Sequence, residues 1–186
     1  KANLHWGWEA PTCQLRGHFL GHWLSAAAYY VAYDHDAELK VKLDKIISEL
    51  ARCQQLNGGE WIGSIPEKYF DKLAKRQYIW SPQYVMHKTI MGLMHAYTYA
   101  GNEQAIEMID HLAETHKLIV TIEEGILHGG YGALVEEYLE SKASDVKVLP
   151  IAIEDTFVRH GSVEELRKML KIDAESIYDR IQDVME

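Results

Sequence analysis

His18 and His22 stand one helical turn apart in a stretch that also carries Trp6, Trp8, Glu9, Arg16 and Trp23. Imidazoles at i and i+4 share one face of a helix. With a carboxylate, a guanidinium and indoles close by in sequence, they resemble the floor of a polar, aromatic-walled pocket of the kind that holds sugars. Two other readings use the same residues. The histidines could be buried and hydrogen-bonded to their neighbours, with no further role. Alternatively, His18, His22 and His87 could share a zinc ion as neutral imidazoles. That arrangement lacks an HExxH signature, because Phe19 and Leu20 fill the glutamate position and its neighbour, and no metal is expected there.

The elements that must hold these groups follow from the spacing of apolar residues. Pro11 and Thr12 punctuate the chain before a helix, and Leu15, His18, Phe19, His22, Ala26, Tyr29 and Tyr33 recur at three- and four-residue steps. Asp34-His35-Asp36 ends that helix. A second is predicted over Ala37–Leu56, with Leu39, Leu43, Ile46, Ile47 and Leu50 on one stripe, and Asn57-Gly58-Gly59 stops it. Residues 60–80 read as an aromatic loop with a short helix near Lys68–Lys75. Ser81-Pro82 then opens a long helix whose stripe includes Tyr84, His87, Ile90, Met91, Met94 and His95. Gly101-Asn102 ends it, and Glu103–His116 continues as a fourth. Helix, turn, helix with short connections is the pattern of a helical bundle or toroid.

Beyond Lys117 the pattern changes. Leu118–Ile122 is a β-branched run short enough for a buried strand. Gly129-Gly130-Tyr131-Gly132 opens a helix to about Lys142, and Val146–Ile153 forms a second strand broken by Pro150, so a βαβ unit with parallel strands is predicted. Ser162 and Glu165 form a capping box for a helix to Lys171, and Asp173 caps a last helix. The glycine cluster could pass for a phosphate-binding loop, but Glu123 and Glu124 just before it would repel a phosphate.

Composition narrows the class further. The chain has 186 residues, 47% hydrophobic and 25% charged, ordinary values for a globular protein. Its net charge of −9 argues against nucleic acid as a partner. No apolar run approaches the length of a membrane span, so no membrane partner and a cytoplasmic location are expected. Cys13 and Cys53 make no disulfide framework and no paired metal-ligand spacing. Residues 1–117 carry 12 basic and 13 acidic side chains, whereas residues 118–186 carry 7 and 15. All five tryptophans lie in the first part. A shift of this kind marks a boundary, and the expected division is 1–116 and 117–186.

The first part carries a family likeness. Gly7-Trp8-Glu9-Ala10-Pro11-Thr12-Cys13-Gln14-Leu15-Arg16-Gly17-His18-Phe19-Leu20-Gly21-His22, then Cys53–Gly63, Trp80–Lys88 and Tyr99–Ala105, follow in an order that resembles the N-terminal catalytic region of the β-L-arabinofuranosidase-like glycoside hydrolases. The resemblance implies part of an (α/α)6 barrel, of which this chain supplies four or five helices. It also implies a zinc-bound cysteine nucleophile and a glutamate acid/base in later segments. Neither Cys13 nor Cys53 falls in the matching block, so no catalytic residue and no zinc ligand is assigned. His22 and His87 stand where the family presents histidines to arabinofuranose, and Trp8, Glu9 and His18 are further substrate-binding candidates. An arabinose-containing saccharide or other pentose is the partner so implied.

The last seventy or so residues resemble another family. Val120–Gly125, Gly129–Gly132, Ile153–Ser162 and Glu165-Leu166 are similar to the end of the 1-deoxy-D-xylulose-5-phosphate synthases, thiamine-diphosphate-dependent members of the transketolase group. The likeness stops short of the domains that hold thiamine diphosphate and magnesium, so no cofactor is expected on this chain. It implies a structural role in packing or dimerisation, which leaves a homodimer open. The fold expected overall is therefore mixed, a helical barrel-like fragment followed by a small α/β fragment, joined somewhere in residues 112–118.

Overall fold

The computed structural model describes residues 6–142 and 144–186, the side chain of Leu112 excepted. It is mostly helical, with one two-stranded parallel sheet. The helices are α1 (His18–Asp34), α2 (Ala37–Leu56), α3 (Lys68–Ala74), α4 (Pro82–Ala100), α5 (Glu103–Thr115), α6 (Tyr131–Ser141), α7 (Val163–Met169) and α8 (Ala174–Met185). The strands are β1 (Leu118–Ile126) and β2 (Lys147–Ile153). The chain divides into two compact units, residues 1–112 and 113–186.

In the first unit α1 and α4 form the most extensive helix pair. Glycine makes that pairing possible. A Cβ on Gly92 would lie 2.7 Å from the Gly21 carbonyl oxygen, and one on Gly21 would overlap the Lys88 carbonyl, so the two backbones meet almost directly. The buried face of α1 is Gly21, Leu24, Ser25, Ala27, Ala28 and Val31, and that of α4 is Val85, Thr89, Gly92, Leu93, Met94 and Ala96. Both differ from the aromatic stripes read in the sequence. Small residues take the seam because the backbones approach so closely, while Phe19, Tyr33, Tyr84 and Tyr99 are left exposed on the flanks.

Helix α2 starts where its cap predicts, with Asp36 Oδ1 accepting from the Leu39 N–H at 2.9 Å, and it buries Leu43, Ile47 and Gln54. Gln54 Nε2 donates to the Met108 carbonyl at 2.9 Å and so ties α2 to α5. Asn102 Oδ1 accepts from the Ala105 N–H at 2.8 Å, while its Nδ2 donates to Asp44 Oδ1 at 2.6 Å. A smaller core of Leu15, Ile65 and Val85, with Cys13, Trp61, Tyr69 and Phe70 against it, lies under the segment that leads into α1.

That lead-in also departs from the sequence reading. The helix begins at His18 rather than Leu15, because Gly17 adopts φ +89° and leaves only turns before it. Ser64 explains the glycine: a Cβ at Gly17 would overlap its hydroxyl. Arg16 Nε donates to the Ser64 carbonyl at 3.1 Å and Ser64 Oγ donates back to the Arg16 carbonyl at 2.9 Å. The lead-in is thereby clasped to the 60–66 segment.

In the second unit β1 and β2 pair in parallel, from Leu118 opposite Lys147 to Ile122 opposite Ile151. Strand β1 runs on to Ile126, past the Ile122 end read from its β-branched run. Ile126 pairs with Ile153, so residues 123–125 of β1 bulge against Ala152 alone. Helix α6 lays Gly132, Val135, Tyr138 and Leu139 into the core with Ile151 and Ala152. Helix α7 carries the predicted capping box, Ser162 with Glu165, and Asp173 caps α8.

Candidate functional site

Glu9 organises the start of α1. A glycine at the N-cap has no side chain to offer the first free N–H groups, and Glu9 supplies acceptors from eight residues upstream. Its Oε2 accepts from the Gly17 N–H at 2.6 Å and its Oε1 from the Phe19 N–H at 3.1 Å. The same Oε1 lies 2.8 Å from His18 Nδ1. That nitrogen also donates to the Leu15 carbonyl at 2.9 Å. His18 is buried and held from two sides.

His22, one turn on, is an exposed residue whose Nε2 lies 3.0 Å from the Tyr84 hydroxyl of α4. Partial burial of its ring holds it below the ordinary histidine range, and the Lys88 ammonium and His18 add to that. Lys88 Nζ sits 5.2 Å from the centre of the Tyr84 ring. Around these groups the rings form a continuous set. Trp8 meets His18 edge-on at 6.0 Å, His18 meets His22 at 6.2 Å and Tyr84 at 6.0 Å, and Trp8 meets Trp80 at 6.5 Å. Trp80 is placed by its own N–H, which donates to Gln14 Oε1 at 2.7 Å. Ser81, between Trp80 and α4, holds φ +48° directly before Pro82, an uncommon conformation for a residue with a side chain.

Of the residues singled out in the sequence, the structure gathers Trp8, Glu9, His18 and His22 into one cluster. His87 lies half-buried on α4, beside Lys88, and is engaged with neighbours of its own. Arg16 and Trp23 leave the cluster. They line a cavity of about 570 Å³ with Phe19, Leu20 and Ile46, and Glu9 lines it as well, so the cavity adjoins the cluster through that carboxylate. Sequence reasoning missed Tyr84 and Lys88 as partners of His22. Their i,i+4 spacing on α4 was the available signal, but only the glycine-lined crossing of α1 and α4 brings them to the histidines.

A second ring cluster lies further along the same two helices. Tyr29 meets Tyr99 at 4.5 Å and His95 at 4.9 Å, with the Tyr29 hydroxyl 3.4 Å from His95 Nε2. Burial, and then the Lys88 charge, hold His95 below its usual range. Among the described residues no three His, Cys, Asp or Glu side chains come together in a way that could hold a metal ion. Cys13 and Cys53 are free thiols.

In the second unit the glycine cluster before α6 meets a carboxylate from its own chain. Glu123, in the β1 bulge, accepts from the Tyr131 N–H at 3.0 Å through Oε2 and from the Gly132 N–H at 2.9 Å through Oε1. The positive end of the helix is thus met from within. Burial, and then the Glu123 charge, raise the Tyr131 phenol above its ordinary range. A Cβ at Gly132 would overlap Thr121 Oγ1 and lie 2.8 Å from Pro150 Cβ, so glycine is what lets α6 close onto both strands.

Comparison with known proteins places two families side by side on this chain. Residues 1–124 match the family of the β-L-arabinofuranosidase, GH127 catalytic domain. Residues 104–177 match the transketolase C-terminal domain. The two matches overlap from the start of α5 into β1. Three relatives of the second part are 1-deoxy-D-xylulose-5-phosphate synthases. That of Idiomarina loihiensis is 37% identical over 78 residues, covering 42% of this chain and 13% of the relative. Those of Shewanella baltica and Baumannia cicadellinicola are 40% and 43% identical over 76 and 77 residues, each covering 41% of this chain and 12% of the relative. The chain therefore spans about an eighth of the length of these curated relatives.

Proposed function

Because the chain belongs to the family of the β-L-arabinofuranosidase GH127 catalytic domain, we propose that its first unit is a saccharide-binding face from one side of a helical barrel. In this reading His22 and His87 contact an arabinofuranoside, with Trp8, Glu9 and His18 around them. The observation that carries it is the gathering of His18 and His22 with Trp8, Tyr84 and Trp80, where polar nitrogens and a hydroxyl alternate with ring faces and edges. Sugar sites need that mixture, since hydroxyls require hydrogen-bond partners while the ring C–H surfaces pack on aromatic faces. Hydrolysis needs two catalytic groups flanking the scissile bond, and none is assigned among these residues. Binding without turnover is therefore the function proposed for this chain alone, with no metal or cofactor of its own. Titrating methyl β-L-arabinofuranoside into ¹⁵N-labelled protein should perturb His22 and His87, and the perturbation should vanish in His22→Ala. Saturating sugar that moves neither histidine would refute the reading.

A second reading concerns residues 113–186, which we propose act in packing or dimerisation as the end of a transketolase-type domain. Glu123 favours it. With its carboxylate on the first N–H groups of α6, that helix start is spoken for, and the unit presents packing surfaces rather than a phosphate site. Sedimentation analysis should show dimers that dissociate when Ile122 and Ile126, both exposed on β1, are changed to lysine. A monomer across the micromolar range would reject it.

A further inference from the structure

We propose that Glu9 is a positioning residue that fixes the tautomer of His18, leaving Nε2 as a bare acceptor within the ring cluster. The inference rests on the saccharide-binding reading for its purpose but not for its geometry. Two oxygens lie within hydrogen-bond distance of His18 Nδ1, the Leu15 carbonyl at 2.9 Å and Glu9 Oε1 at 2.8 Å. Neither a carbonyl nor an ionised carboxylate has a hydrogen to give. A lone pair on Nδ1 would face two other lone pairs, one of them carrying charge, so Nδ1 must hold the proton. In the neutral ring the unprotonated nitrogen is then Nε2.

Glu9 is itself held. Both its oxygens accept from backbone N–H groups of the first turn, Gly17 and Phe19, so the carboxylate cannot swing away without uncapping α1. Helix start and imidazole are locked by one group, much as outer carboxylates orient histidines in metal sites. The ring so held is met by Trp8, His22 and Tyr84 at 6.0–6.2 Å. A ligand reaching it finds an acceptor only, which selects a hydroxyl that donates. His22, whose Nε2 already faces the Tyr84 hydroxyl, keeps Nδ1 for a second contact. On the saccharide reading, His18 preset in this way meets a donating hydroxyl of a pentose without reorganising its ring.

The test is a long-range ¹H–¹⁵N spectrum of the histidine rings at pH 8, taken on the whole chain. His18 should show a protonated Nδ1 and a bare Nε2, the minority form of free imidazole. In Glu9→Ala the Nε2–H form should appear, with the His95 and His111 signals unchanged as evidence that the fold survives. If Glu9→Ala unfolds, Glu9→Gln retains one acceptor for the helix N–H groups while turning an amide N–H₂ toward Nδ1, and the same shift is expected. Methyl β-L-arabinofuranoside should bind either variant about tenfold more weakly. A native His18 protonated on Nε2 overturns the proposal, as does a variant whose His18 remains wholly Nδ1–H, since the Leu15 carbonyl would then suffice. The tautomer measurement requires no sugar, so a failure of binding refutes the saccharide reading separately.

Discussion

Gly21 and Gly92 meet where α1 crosses α4, so closely that a Cβ on Gly92 would stand 2.7 Å from the Gly21 carbonyl oxygen and 2.9 Å from Leu24 Cβ. The obstacles are backbone atoms and a buried side chain, which cannot step aside. Gly21→Ala, whose methyl would overlap the Lys88 carbonyl, should therefore separate the helices and cost about 3 kcal/mol. The separation should also break the His22–Tyr84 hydrogen bond. Urea denaturation gives the stability, and the His22 ring signals report the bond. A Gly21→Ala protein of native stability would show that the helices do not pack this way.

Acid should weaken the first unit in a defined window. His22 and His95 both sit below the ordinary histidine value of 6.5, each chiefly through burial and then through Lys88. The unfolded chain takes up protons on these rings near pH 6.5 while the folded chain still resists. Between there and the lower folded values the unfolded state binds more protons, so stability rises with pH and is lost as pH falls. Glu165 and Asp173, whose carboxyls are held below 4.5 and 3.8, act only in more acidic solution. The urea midpoint should thus fall between pH 7.5 and 5.5, and His95→Phe should flatten part of that slope. A midpoint constant over this range would contradict the burial of His95.

Much of this was legible because the signals were local. Asp36 before α2, the capping box of α7 and Asp173 before α8 are short-range devices whose partners lie three residues away, and the apolar runs of β1 and β2 needed only composition. The start of α1 was not legible, since its position depends on Gly17 lying against Ser64, forty-seven residues on, and its cap comes from Glu9. Tyr84 and Lys88 were hidden as partners of His22 for the same reason: their meeting depends on two glycines in different helices. The aromatic stripes of α1 and α4 marked a face without saying which face is buried, and the seam is made by other residues, Gly21 and Gly92 among them.

Glu123 gives the second unit its sharpest prediction. Glu123→Ala removes the carboxylate that accepts from the Tyr131 and Gly132 N–H groups and should cost about 1–2 kcal/mol. The vacated helix start then attracts anions. Millimolar sulfate should restore part of the lost stability in Glu123→Ala and leave the native protein unchanged, as read by thermal unfolding. Equal stabilisation of both proteins would mean that sulfate acts generally and that Glu123 does not occupy the helix start.

The ring cluster predicts how binding is divided between His22 and Tyr84. Their bond at 3.0 Å joins α1 to α4 across an exposed surface, so Tyr84→Phe keeps the ring and the Lys88 contact but frees the imidazole to rotate. Loss of one such bond is worth about 1 kcal/mol, and methyl β-L-arabinofuranoside should bind Tyr84→Phe about fivefold more weakly. If His22 contacts the sugar as proposed, His22→Ala removes that contact and should abolish binding. On the proposed reading, which assigns no catalytic residue to this chain, a chromogenic β-L-arabinofuranoside should be hydrolysed neither by these variants nor by the native chain. Turnover by the native chain that disappears in His22→Ala would prove that a catalytic pair is present after all, and would make the first unit an enzyme rather than a binding face.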